Sequence, residues 1–136
     1  MNRFEELENE ASILGIDVID IDISVSEMNA AYLNLEGVER IFLRNGGTIS
    51  EKACWIAEEL GHYHTGRNLV LKYRSVDDWR AEARARRWAH MHLLTPDAIH
   101  TAARNTDDIF EIAEALEVSV EFLRESIDDF QAKGIW

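Results

Sequence analysis

The sequence predicts an α+β fold, mostly helical, with a small β-sheet built on a hairpin in the first third of the chain. Three observations carry that reading. Short apolar runs between residues 16 and 43 are interleaved with aspartates or separated by Glu36-Gly37, the pattern of strands and a hairpin. From Thr48 onward the apolar residues recur at helical spacing instead. The 136 residues suffice for a core without staples, so 1–136 is read as a single domain in which residues 96–136 form a helical C-terminal subregion.

Phe4, Leu7, Ala11 and Leu14 fall on one helical face and Gly15 follows as a stop, which predicts a short amphipathic helix over residues 2 to 14. Val18, Ile19, Ile21 and Ile23, set among Asp17, Asp20 and Asp22, predict an extended segment from Ile16 to Val25. Those aspartates lack the turn glycine and closing glutamate of a calcium loop. Tyr32 to Leu35 and Val38 to Leu43 are the arms of the hairpin, and Asn45-Gly46-Gly47 then breaks the chain. Thr48 with Glu51 makes a capping box, Ser50 is a competing cap, and the helix they open runs to a stop at Gly66.

After a connector holding Leu69, Val70, Leu71 and Tyr73, a second long helix begins between Ser75 and Asp78 and ends before Pro96. Its alanines favour helix. Glu82, Ala85, Ala89 and His92 share one face, where the small residues permit another helix to come close. Trp55, Trp79 and Trp88 are expected as core and inter-helix anchors. Ile109, Ile112, Ala113 and Leu116, then Phe122, Leu123, Ile127 and Phe130, predict two further helices in a helix-turn-helix-like pattern. The second offers Glu121, Glu125, Asp128 and Asp129 against Arg124, which indicates packing and not DNA recognition.

The net charge of -12 argues against nonspecific binding to phosphate backbones. Seven of the fourteen basic residues lie between Arg67 and Arg87 and are read as a solvated helix face balanced by acidic neighbours. The single cysteine, Cys54, excludes an internal disulfide or a multi-thiolate zinc cluster and reads as a small core residue. No apolar run reaches membrane-spanning length and the opening residues are acidic, so the expected setting is cytoplasmic, with no membrane and no direct nucleic-acid partner.

The helix from Thr48 to Gly66 is mostly apolar yet carries Glu58, Glu59 and His62 in its second half. Such groups are costly to bury without a cation, hydrogen bonds or water. Glu58 and His62 are four apart, about 6 Å along the axis, a spacing suited to two ligands of one ion. Glu59 stands where the glutamate of an H-E-x-x-H zinc helix activates water, although here a carboxylate replaces the first imidazole. Glu82, at the head of the small-residue face, is the best candidate for a third ligand. His90 and His92 lie about 12 and 15 Å beyond it along the helix, too far to share its ion. His64 reaches the site only if the helix end frays, no spacing places His100, and Tyr63 either donates to an oxyanion or caps the core. The plainer alternatives are i,i+4 pairs, Glu58 with His62 and Glu82 with Arg86.

Ala57-Glu58-Glu59-Leu60-Gly61-His62-Tyr63-His64-Thr65-Gly66, followed by Glu82-Ala83-Arg84-Ala85-Arg86-Arg87-Trp88-Ala89 and Leu93-Leu94-Thr95-Pro96, resembles the ImmA/IrrE family of metallopeptidases over roughly residues 30 to 125. The resemblance implies a zincin-like active-site helix and a zinc-dependent endopeptidase, often carried by phage or mobile elements, that cleaves or inactivates a helix-turn-helix repressor. Position by position it implies His62 and Glu82 as metal ligands, Glu59 as general base and Glu58 in place of the first histidine. A more anionic ligand set shifts preference toward manganese or another hard divalent cation. The competing expectation is a non-catalytic, antirepressor-like scaffold that captures its partner, and a DNA-binding regulator built on the C-terminal helices stands last.

Overall fold

Asn2 opens the first helix, α1 (Arg3–Ile13), with a capping box: its side chain accepts from the Glu5 N–H while the Glu5 carboxylate accepts from the Asn2 N–H. The computed structural model describes residues 1–22, 28–66 and 76–135. After α1 come β1 (Ile16–Ile21), β2 (Ala30–Leu35), β3 (Val38–Arg44), α2 (Ile49–Thr65), α3 (Val76–Leu93), α4 (Pro96–Ala102), α5 (Ile109–Leu116) and α6 (Val120–Ala132). The fold class is α+β and mostly helical, as expected.

The sheet has the order β1-β3-β2, with β1 parallel and β2 antiparallel to the central β3. Glu36 and Gly37 both take positive φ, 52° and 84°, which is what a two-residue hairpin turn requires and why a glycine sits there. The register aligns Val18, Ile41 and Tyr32 across the three strands. Ile41 and Tyr32 are fully buried, so this row is the sheet's core side.

Thr48, not Ser50, caps α2, and its capping box with Glu51 is complete. This helix buries Ala53, Ile56, Ala57 and Leu60 and packs against α1, the sheet and α3. Thr95 caps α4 with Pro96 at its first turn, where a missing N–H costs nothing. Between α5 and α6 the chain turns through Glu117 in the left-handed region, and Ser119 caps α6, which packs back on α3. One cluster of buried side chains runs from Leu7 through α2 to Phe130.

The strand expected over 16 to 25 ends at Ile21, and its continuation at 23–27 lies outside the described residues, as does the connector with Leu69, Val70, Leu71 and Tyr73. Trp79 is not the anchor its size suggested: it is 57% exposed. His92 leaves the buried face of Ala85 and Ala89, and Leu93 takes the inward position. The cause is geometric, since three residues advance a helix by only about 300° and carry His92 to the flank. No described helix is long and apolar enough to cross a membrane.

Candidate metal centre

Gly61 sets the geometry. A Cβ at this position would stand 2.2 Å from the Ala85 carbonyl oxygen and 2.9 Å from its carbonyl carbon, so only glycine lets α2 meet the backbone of α3 here. Ala85 and Ala89 are fully buried along the same seam. That close approach brings together polar side chains from both helices. His62 Nε2 lies 2.9 Å from Glu82 Oε2, and the other Glu82 oxygen lies 3.5 Å from an Arg86 guanidinium nitrogen. His62 is only 6% exposed.

The electrostatics are those of crowded, poorly solvated carboxylates. Burial pushes Glu58 up to about 8; Arg86 opposes the shift while Glu59, Glu82 and Glu125 add to it. Burial likewise lifts Glu59 to about 7, with His62 pulling down, Glu82 pushing up, and the Tyr32 backbone N–H donating to the carboxylate. For His62 burial acts downward, but the hydrogen bond to Glu82 and the charges of Glu59, Glu82 and Glu58 outweigh it and raise the imidazole. Glu82 is the reverse case: burial acts upward, and the bond to His62, the His62 charge and Arg86 bring it below the usual range.

The donor set suits a divalent cation in chemistry, one imidazole among three carboxylates with more negative than positive charge. The 2.9 Å between His62 and Glu82 is the distance of a charge-assisted hydrogen bond. The set is not closed. Among the described residues no three His, Cys, Asp or Glu side chains converge on one point. Glu58 lines a polar cavity of about 300 Å³ that it shares with Cys54, Trp55, Arg86 and Glu125.

The remaining candidates separate clearly. Tyr63 is half-buried and meets Tyr32 edge to face, with centroids 6.2 Å apart. His64 does not turn toward His62; its ring stacks on Trp88 at 4.6 Å. His92 stacks on Trp88 as well, at 4.4 Å, and bonds Glu10 of α1. His90 contacts Asp129 and Glu125 of α6, a second junction remote in sequence from His62. Cys54 is buried beside the Ser119 hydroxyl, and burial pushes its thiol up to about 12, which makes it an inert core residue. The sequence did not reveal the Tyr32 bond to Glu59 or the charge of Arg86 beside Glu58. Both are contacts between elements, and the only local signal was the i,i+4 relation of Glu82 and Arg86.

The chain matches the Peptidase M78 family, described as the IrrE N-terminal-like domain, over residues 11–128. No curated protein and no solved structure matches it at a significant level. The match runs from the last turn of α1 into α6 and takes in the whole α2–α3 seam with His62 and Glu82. The chain therefore belongs to the Peptidase M78 family, the metallopeptidase-like family of the IrrE N-terminal domain.

Proposed function

We propose that the chain is a divalent-metal-dependent endopeptidase that hydrolyses a peptide bond in a cytoplasmic protein partner, with a helix-turn-helix transcriptional repressor as that partner. The observation that carries the reading is the 2.9 Å approach of His62 to Glu82 with Glu59, titrating at about 7, in the same cluster. Family membership supports the reaction class, and the resemblance to ImmA/IrrE proteins supports the repressor as target.

His62, Glu82 and Glu58 are the residues that would hold the ion, with zinc first and manganese compatible with so many carboxylates. Such an ion supplies Lewis acidity, which polarises a scissile carbonyl and makes water a better nucleophile. Glu59 accepts the proton from the attacking water and returns it to the leaving amine. A carboxyl that titrates near neutrality is populated in both forms and so serves in both directions. The Tyr32 backbone N–H donates to that carboxylate and so orients it.

Metal-dependent proteolysis tests the reading. Wild-type protein loaded with zinc or manganese, incubated with proteome-derived peptides, is expected to generate new N-termini, and Glu59→Gln is expected to abolish them while still binding metal. Equal product from the variant overturns the role of Glu59. Absence of product from the metal-loaded wild type overturns the peptidase reading.

One observation favours a second reading. Arg86 lies beside Glu58 and bridges to Glu82, so His62, Glu82, Arg86 and Glu58 form a ladder of alternating charge that holds α2 to α3 with no ion. On that reading the chain is a non-catalytic scaffold that captures its partner. Stoichiometric capture unaffected by chelator would support it.

A further inference from the structure

One surface runs against the charge of the whole molecule. Thr65 at the end of α2 and Arg84, Arg87, Trp88, Met91 and His92 of α3 line an open groove of about 440 Å³. The four α3 positions 84, 87, 88 and 91 are spaced three, one and three apart, so they form one continuous helix face, a flank away from the Glu82–Ala85–Ala89 seam. Arg84 and Arg87 are exposed and make no ion pair among the described residues. Between them the floor is apolar: Met91 is 51% exposed, and the half-buried Trp88 is fixed by the stacking of His64 and His92 on its ring.

A chain of net charge -12 has carboxylates to spare for pairing surface arginines, yet among the described residues these two have no ion pair and stand beside an aromatic and a methionine. Arginine, tryptophan and methionine are the residue types that concentrate at protein interfaces. Against a net charge of -12, two exposed arginines on one helix face give an acidic partner a local foothold, and the opposing field fixes its orientation. The rigid stack of three rings also means that little side-chain entropy is lost when the floor is covered.

We propose that this groove docks an acidic segment of the protein partner, one in which carboxylate side chains flank an apolar residue: the carboxylates pair with Arg84 and Arg87, and the apolar side chain rests on Trp88 and Met91. The inference deepens the proposed function, because it gives the protein acted upon a recognisable chemistry at the C-terminal end of the helix that carries His62. It is read by binding and not by cleavage, so the two stand or fall separately.

The experiment uses the full chain, labelled with ¹⁵N, and follows the Trp88 indole N–H signal, assigned by its loss in Trp88→Phe. A capped peptide of glutamate and leucine is expected to shift that signal saturably, with affinity falling as salt rises. The same peptide with lysine for glutamate is expected to leave it in place. The double variant Arg84→Gln, Arg87→Gln, with its fold verified by circular dichroism and thermal melting, is expected to weaken binding by about tenfold or more. No Trp88 shift with the acidic peptide, an equal shift with the lysine peptide, or undiminished binding by the double variant overturns the proposal. Tighter binding of duplex DNA than of the peptide, or occupation of the groove by a second copy of the chain in sedimentation, also overturns it. Binding by Glu59→Gln equal to wild type supports docking, whether or not either protein cleaves anything.

Discussion

Helix α3 makes two junctions of the same kind in different surroundings. At one, His62 of α2 meets Glu82; at the other, His90 of α3 meets Asp129 and Glu125 of α6. Both imidazoles are buried, at 6% and 3% exposure. At the α6 junction one carboxylate, Glu125, sits at the rim at 38% exposure, and the other, Asp129, is as buried as Glu82 but has Lys133 at 3.7 Å. At the α2 junction Glu58 and Glu59 add charge inside the protein; Arg86 of α3 opposes Glu58, and His62 opposes Glu59. A buried histidine beside a carboxylate is therefore not enough to mark a centre. What separates the two is a surplus of poorly solvated negative charge, which a structural ion pair does not need and a cation site does.

The largest effect expected from this difference is on metal affinity. His62→Ala and Glu82→Gln are expected to weaken zinc binding by more than about a hundredfold, since losing even a residue that only supports a ligand costs 10- to 100-fold. His90→Ala is expected to bind zinc as the wild type does. Isothermal titration of the purified variants checks both. Equal loss in His90→Ala would erase the distinction between the junctions, and an unchanged His62→Ala would remove the centre. Glu58→Ala in the same series decides whether Glu58 is the third donor or only the partner of Arg86.

A middle-sized effect concerns how the α2 junction is built. Gly61→Ala places a methyl group 2.2 Å from the Ala85 carbonyl oxygen, which the two backbones relieve only by separating. Overpacking of this kind costs about 1–3 kcal/mol. Helix propensity alone would favour alanine by about 1 kcal/mol, so a fall in the urea midpoint isolates the clash. Ser126→Ala in α6 removes only a side-chain bond to the Phe122 carbonyl and is expected to cost about 1 kcal/mol or less. A Gly61→Ala protein as stable as wild type would mean that the seam is not closely packed.

The contrast also explains what the sequence could disclose. Thr48 with Glu51, Glu36-Gly37 and the alanines of α3 were legible because caps, turns and small-residue faces are local rules written within a few residues. His62 and Glu82 were legible because helical spacing predicts faces, and the facing of two small-residue helices limits which groups meet. The direct parallel pairing of β1 with β3, which skips β2 in sequence, the exposure of Trp79 and the place of Arg86 beside Glu58 were not. Each depends on which elements pack together, and propensity carries no information about that. Gly61 was visible as a residue, but its meaning requires knowing that Ala85 lies opposite.

The smallest effect, and the one that most sharpens the comparison, is the pH dependence of stability in metal-free protein. Glu58 and Glu59 titrate at about 8 and about 7 in the folded chain, against 4.5 for a free glutamate, so between pH 4.5 and 8 the folded state holds protons that the unfolded state has released. Stability therefore falls as pH rises through that window. His62, raised above 6.5, acts in the same direction: its contribution is complete below 6.5 and is lost as pH climbs through its folded value. Glu82, lowered below 4.5, acts oppositely and only at the acid end, where its contribution disappears as pH falls. Thermal melts in chelator from pH 5 to 8 are expected to show a decline that the double variant Glu58→Gln, Glu59→Gln flattens, leaving it more stable than wild type at the alkaline end. Partial access of water to both carboxylates keeps the difference modest. Adding zinc should reverse the trend for the wild type, because the ion binds the ionised donors and displaces their protons. Parallel curves for wild type and variant would mean that Glu58 and Glu59 are as well solvated as Glu125 at the rim of the α6 junction, and that the charge surplus setting the two junctions apart does not exist.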